Sequence, residues 1–184
     1  MDGNFIGGDH SITWPLVEGF LQRHKKLQVL HLDAHSDLGL DRWGIVEHGS
    51  FARRLLEDDR VHKVLQIGVR GPQDREICHD KLRICYGKSL TFVEGYLDPD
   101  VPTYVSVDCD VFDPSCFPGV AFPVPGGLTS EDFSWIMRHI APSLDLVAMD
   151  WVEYTPHRDP SCVSVSTLSY AILEGILALA KEFK

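Results

Sequence analysis

The chain has 184 residues, 44% of them hydrophobic and 24% charged, ordinary proportions for a domain that buries a core, and residues 1–184 read as a single domain. Seventeen Lys and Arg against 27 Asp and Glu give a formal net charge of −10. A surface that acidic repels phosphate, which argues against nucleic acid and anionic membranes as partners. Cys78, Cys85, Cys109, Cys116 and Cys162 are odd in number and form no Cys-x-x-Cys pair, which argues against a disulfide framework and a zinc knuckle. The opening Met-Asp-Gly-Asn-Phe-Ile-Gly-Gly has neither the basic nor the apolar region of a signal peptide, so a cytoplasmic setting is expected. The apolar stretch from Leu168 to Ala180 is broken by Glu174 and Gly175 and falls short of the roughly 20 residues a membrane span needs.

In chain order, strands are predicted near Asn4–Ile6, Leu27–Leu32, Lys63–Val69, Leu82–Cys85, Thr103–Val107 and Leu144–Met149. Helices are predicted near Ile12–His24, Phe51–Glu57, Gln73–His79, Leu90–Leu97, Glu131–Ile140 and Ser166–Lys184. The alternation is that of an α/β protein with a mostly parallel sheet. Thr129 is placed to cap the helix that follows it, with Asp132 closing a capping box.

In such sheets ligands bind beyond the carboxyl ends of the strands. The segments there are Gly7-Gly8-Asp9-His10, Asp33-Ala34-His35-Ser36-Asp37, Asp108-Cys109-Asp110 and the stretch from Asp150 to Glu153. Side chains alternate along an extended chain, so Asp33, His35 and Asp37 share one side, as do Asp108 and Asp110. Unpaired carboxylates packed this closely cost several kcal/mol on burial, and protons or cations must relieve them. Two divalent ions bring +4 against the −4 of Asp33, Asp37, Asp108 and Asp110, moving the net charge from −10 to −6. Mixed imidazole and carboxylate ligands suit Mn²⁺ or a similar first-row ion.

Gly-Gly-Asp-His-Ser (7–11), Asp-Ala-His-Ser-Asp (33–37) and Ser-Val-Asp-Cys-Asp-Val-Phe-Asp-Pro (106–114) resemble the three signature motifs of the ureohydrolases, the family of arginase, agmatinase and formimidoylglutamase. The likeness extends to Gln-Ile-Gly-Val-Arg-Gly (66–71), Pro-Gly-Gly-Leu-Thr (125–129) and Met-Asp-Trp-Val-Glu-Tyr-Thr-Pro (149–156). It implies an arginase-like three-layer α/β/α fold that lacks the usual N-terminal edge strands, since Met1 stands six residues before Gly7. An exposed edge beside the strand carrying His10 would follow, to be met by oligomerisation, a partner chain or instability, of which a homo-oligomer is the expectation.

The resemblance also implies two Mn²⁺ per chain, one held by His10, Asp33, Asp37 and Asp108 and the other by Asp33, His35, Asp108 and Asp110, with Asp33 and Asp108 bridging. Asp37 would pass a proton to the leaving amine, His48 would shuttle protons, and Glu153 would grip the guanidinium of a small substrate. Asp9 and Asp113 read as turn and cap residues, Cys109 and His31 as packed in the core, and His157 and Arg158 as solvent-exposed. The loop 38–47 has no Asn or Ser to read an amino-acid carboxylate and amine, so the substrate expected is agmatine-like, with urea and an amine as products. Asp41 or Glu47 could meet a distal cation, whereas Arg42 would suit an acidic tail. Pro118-Gly119-Val120-Ala121-Phe122-Pro123 puts apolar groups at the pocket, as in formimidoylglutamase-like members. The rival within hydrolases is a one-zinc deacetylase-type enzyme, against which His10 and the second carboxylate of Asp108-x-Asp110 argue. The rival of another class is a non-catalytic metal-binding paralogue or subunit, against which Asp37, His48 and Glu153 argue.

Overall fold

The computed structural model describes residues 3–41, 43–71, 78–90 and 95–182. Six strands, β1 (Gly3–Ile6), β2 (Leu27–Leu32), β3 (Val61–Val69), β4 (Leu82–Tyr86), β5 (Pro102–Asp108) and β6 (Asp145–Val152), form one sheet in the order β1-β6-β5-β2-β3-β4. Every pairing in it is parallel. The four-residue β1 lies at an edge, with Ile6 exposed.

The three layers follow from the period of two along each strand. Leu27 and Val29 of β2 point to a cluster with Val17 and Phe20 of α1 (Thr13–Leu21) and Phe51 and Leu55 of α2 (Phe51–Glu57). Leu30 and Leu32 point the other way, into a core with Phe133 of α3 (Ser130–Trp135) and Leu168 and Ala171 of α4 (Val163–Leu179). Burial on both faces is what parallel strands with continuous apolar runs require. α4 sits close to the sheet at Gly175, where a Cβ would lie 2.6 Å from Met149 Sδ. Among the described residues no helix is long and apolar enough to cross a membrane.

The Thr129–Asp132 capping box forms as expected, but the predicted helix 131–140 does not continue as one. It passes into a π-helical turn, Ile136–Ile140, and then a 3-10 turn at Ala141–Ser143, where Pro142 cannot supply the N–H a continuing helix needs. The expected helix 12–24 starts as a 3-10 turn at His10–Ile12 and ends at Leu21, and the last helix begins at Val163, earlier than expected. Of the expected helix 73–79, Cys78 and His79 are non-helical and the remainder lies outside the described residues. Of the expected helix 90–97, residues 91–94 lie outside, while Leu90 and Gly95–Leu97 are not helical. β6 runs to Val152, so Asp150 lies inside the sheet and only Glu153 follows the strand.

From β2 the chain proceeds outward to β3 and β4, whereas β5 returns to the opposite side of β2 and leads to β6. The crevice between β2 and β5 is therefore the topological switch point, the place where α/β sheets bind ligands. Gly68 in β3 lies beneath it with φ +104, and a Cβ there would sit 2.7 Å from Val111 Cγ2 and 2.8 Å from Asp33 O. Gly68→Ala is expected to destabilise the fold by about 2 kcal/mol or more, read as a lower urea midpoint with an unchanged slope.

Candidate active site

His10, Asp33, His35, Asp37, Asp108, Asp110 and Glu153 come from the carboxyl ends of four adjacent strands, β1, β6, β5 and β2. Asp9 caps the 3-10 turn after β1 by accepting from the Ser11 amide at 3.1 Å, and His10 is wholly buried there, stacked on Phe51 with ring centroids 4.2 Å apart. His10 Nδ1 faces three carboxylates, Asp108 Oδ2 at 3.0 Å and Asp33 Oδ2 and Asp37 Oδ2 at 3.2 Å each. Its Nε2 lies 2.9 Å from Ser106 Oγ.

Asp33 is the centre of the arrangement. Its Oδ1 accepts from the His35 amide at 2.6 Å and lies 3.5 Å from His35 Nδ1, and its Oδ2 lies 2.8 Å from His31 Nε2. His35 Nδ1 also meets Asp110 Oδ2 at 3.0 Å. Asp110 Oδ1 accepts from the Ala34 amide at 3.0 Å, and Asp108 Oδ1 from the Asp110 amide at 2.8 Å. Ligand atoms of His10, His31, Asp33 and Asp37 lie within 4.8 Å of one another, as do those of Asp33, His35 and Asp110. Two nests thus share Asp33, and Asp108 touches His10 beside them.

Asp37 and Glu153 both have left-handed backbones, φ 50 and φ 65, which non-glycine residues adopt at a cost and which tends to concentrate at functional sites. Glu153 Oε1 accepts from the His10 amide at 2.9 Å, and the Glu153 amide donates to Gly8 O at 2.8 Å. β1 and β6 are thereby tied together at the rim. A cavity of about 760 Å³ opens over the cluster, lined by His10, Asp37, His48, Asp108, Phe122 and Glu153 among others. His48 is exposed at its mouth.

The electrostatics are those of crowded anions. Burial, and then the neighbouring carboxylates, push Asp108 and Asp110 up. Burial and the charge of Asp33 push Asp37 up to about 6. Burial opposes ionisation of Asp33 too, but contacts to His10, His31 and His35 hold it well below the ordinary range. Bonds to Asp110 and Asp33 push His35 up to about 11. His10 is also raised, its desolvation outweighed by Asp108, Asp33 and Asp37. Among the described residues no Lys or Arg pairs with Asp33, Asp37, Asp108 or Asp110. Imidazoles are the cations in direct contact, with the Arg70 guanidinium acting on the cluster from further off, and a mixed N and O donor set of this kind suits first-row divalent ions.

Several sequence expectations find their places. Asp113 accepts from the Ser115, Gly126 and Gly127 amides and holds a loop. Cys109 is wholly buried in the core, and His157 and Arg158 are exposed. Ala121 and Phe122 line the cavity. Asp41 Oδ2 pairs with Arg54 of α2, while its Oδ1 is buried without a hydrogen-bond partner among the described residues; Arg42 lies outside the described residues. His31 is packed as expected but also hydrogen-bonds Asp33, and its Nδ1 accepts from Gln66 Nε2 at 3.0 Å, the same amide donating to Ser36 O at 2.6 Å. Its spacing of two from Asp33 along the chain was the available signal. Arg70 spends its guanidinium on carbonyls, including Asp110 O at 2.9 Å and Val124 O at 2.8 Å, and so props the loop that follows β5.

Residues 4–177 match the model of the Arginase family. The chain belongs to the arginase family. It is 34% identical over 172 residues to the mitochondrial agmatinase of Gallus gallus, covering 85% of this chain and 50% of that protein. It is 36% identical over 195 residues to a guanidinopropionase of Pseudomonas aeruginosa, covering 96% and 60%. The solved structure of proclavaminate amidino hydrolase from Streptomyces clavuligerus superposes with a TM-score of 0.85 at 29% identity, covering 100% of this chain and 66% of that one. This arginase-family chain thus spans about half to two thirds of the length of its relatives.

Asp37 and His35 both hold protons more tightly in the folded chain than in the unfolded one. The ion-free protein should therefore lose stability as pH rises from 3.8 through about 6 because of Asp37, and from 6.5 toward about 11 because of His35. An added divalent ion competes with those protons, so the rise in melting temperature on adding Mn²⁺ should grow with pH. Thermal unfolding between about pH 5 and 9, with and without Mn²⁺, checks both; an ion effect constant across that range would contradict it.

Proposed function

We propose that this chain carries the reaction centre of a binuclear manganese hydrolase that cleaves a C–N bond of a linear guanidine, of agmatine type, releasing urea and an amine. The observation carrying this reading is the pair of His and Asp nests sharing Asp33 at the foot of a cavity walled by Glu153 and Asp37. The names of the relatives, agmatinase and guanidinopropionase, support a guanidino compound as substrate.

His10, Asp33, Asp37 and Asp108 would hold one ion, and Asp33, His35, Asp108 and Asp110 the other. When bound, the ions supply a nucleophile at neutral pH by acidifying water, which a resonance-stabilised guanidinium needs. Glu153 meets the guanidinium. One of its oxygens is fixed by the His10 amide, so the second is presented in a set direction for a charge-assisted hydrogen bond. Asp37, lining the cavity, is placed to take a proton and return it to the departing amine. His48, exposed at the mouth, exchanges that proton with solvent. Leu38, Leu40 and Phe122 on the cavity wall receive the methylenes of the chain and keep water from them.

The test is manganese reconstitution followed by urea assay on agmatine, arginine and guanidino acids, with formamide release from formiminoglutamate in the same panel. Agmatine is expected to be the best substrate. Asp108→Ala should abolish both ion binding and turnover. Glu153→Gln should lower kcat/KM by roughly 10² or more while both ions stay bound. Two bound ions with no release from any compound in the panel would overturn the hydrolase reading in favour of a metal-binding protein.

A further inference from the structure

Asp150 lies inside β6 opposite Ser106 of β5 in the sheet register, wholly buried, with no cationic partner among the described residues. Three hydroxyls meet it instead. Ser106 Oγ donates to its Oδ1 at 2.7 Å, and Tyr104 OH at 2.7 Å and Thr13 Oγ1 at 2.9 Å donate to its Oδ2. All three donors are themselves buried. A carboxylate stripped of water in this way is costly to keep charged unless each lone pair facing a donor is used, and three O–H groups converging from α1 and β5 accomplish that.

Ser106 has one proton, and it goes to Asp150. Toward His10 Nε2, 2.9 Å away, the serine oxygen can therefore only accept, which requires Nε2 to carry its hydrogen. In a singly protonated imidazole the lone pair then falls on Nδ1, the atom facing Asp33, Asp37 and Asp108 at 3.0–3.2 Å. Carboxylate, hydroxyl and imidazole thus form a relay that fixes the tautomer and raises the basicity of a ligating histidine, the role that outer hydrogen bonds play at metal sites. Burial and the Asp150 charge push the Tyr104 phenol up, so it stays a donor.

We propose that Asp150 is a positioning residue which, through Ser106 and braced by Tyr104 and Thr13, sets His10 Nδ1 as a metal ligand and so selectively strengthens one of the two ion sites. The proposal rests on the binuclear reading above.

Manganese binding measured by calorimetry, together with the nitrogen hyperfine couplings of bound Mn²⁺ in pulsed electron paramagnetic resonance, tests it. Asp150→Asn should weaken one of the two ions by roughly 10- to 100-fold, leave the other at full affinity and reduce the imidazole nitrogen signal. Ser106→Ala should do the same, and the double variant should be no weaker than Ser106→Ala alone, because both act through one path. Tyr104→Phe, which leaves two donors on Asp150, should move affinity in the same direction by less, and it reads the relay even where Asp150→Asn does not fold. Gln28→Leu cuts a buried hydrogen-bond network remote from the site and should lower thermal stability with both affinities unchanged. Two ions of undiminished affinity in Asp150→Asn, additive losses in the double variant, or loss of both ions in step with melting temperature would each overturn the proposal. Absence of ion binding in the unaltered chain would instead overturn the binuclear reading beneath it.

Discussion

Four carboxylates are gathered at the end of a sheet, and among the described residues only imidazoles pair with them directly. Asp33, Asp108 and Asp110 are buried, Asp37 nearly so, and the folded chain tolerates them by holding protons on His10, His35 and, below about pH 6, Asp37. A group of anions this size gains little from being paired with one another and much from being paired with cations. The surrounding structure serves that constraint. Backbone amides of Ala34, His35 and Asp110 are aimed at carboxylate oxygens, and Asp37 and Glu153 hold left-handed conformations that place them at the same rim.

The sheet order turns those local facts into a site. Because β1, β6, β5 and β2 are neighbours, residues far apart in the chain meet, as His10 and Glu153, 143 positions apart, do through the His10 amide. The neighbouring loops are pinned by two arginines. Arg70 gathers the carbonyls of Asp110 and Val124, and Arg53 those of Leu38 and Gly39. Two guanidiniums spent on neutral carbonyls leave their own charge in place near the acidic cluster, where Asp110 and Asp113 offset the desolvation of Arg70.

Most of the sheet and the gathering of acids and histidines at its edge were legible in the sequence, for a physical reason. Strands that are buried on both faces must be apolar runs, and the polar residues that break such a run at its carboxyl end stand out. The parity of Asp33, His35 and Asp37 and of Asp108 and Asp110 then places them together. What was not legible depended on partners distant in the chain. β6 looked finished at Met149 because Asp150 is charged, yet three hydroxyls supplied by α1 and β5 let the strand continue through it. Asp41 looked available because nothing local announced Arg54 of the following helix as its partner. The helix after Thr129 carried a correct start signal, but its π-helical turn is not encoded by spacing alone.

The same contrast separates the two kinds of aspartate at this site. Those that face the cavity are destabilised by one another, so their burial makes sense only with a cation in view. Asp150 faces away from it and is satisfied completely by hydroxyl groups, needing no ion of its own. A serine with a single proton links the two environments, and its geometry permits one direction of hydrogen bonding from His10 through Ser106 to Asp150. The buried negative charge of β6 is thus expressed at the crevice between β5 and β2 as the orientation of a histidine, and the strand pairing that brings Ser106 beside Asp150 is as much a part of the site as the residues that line it.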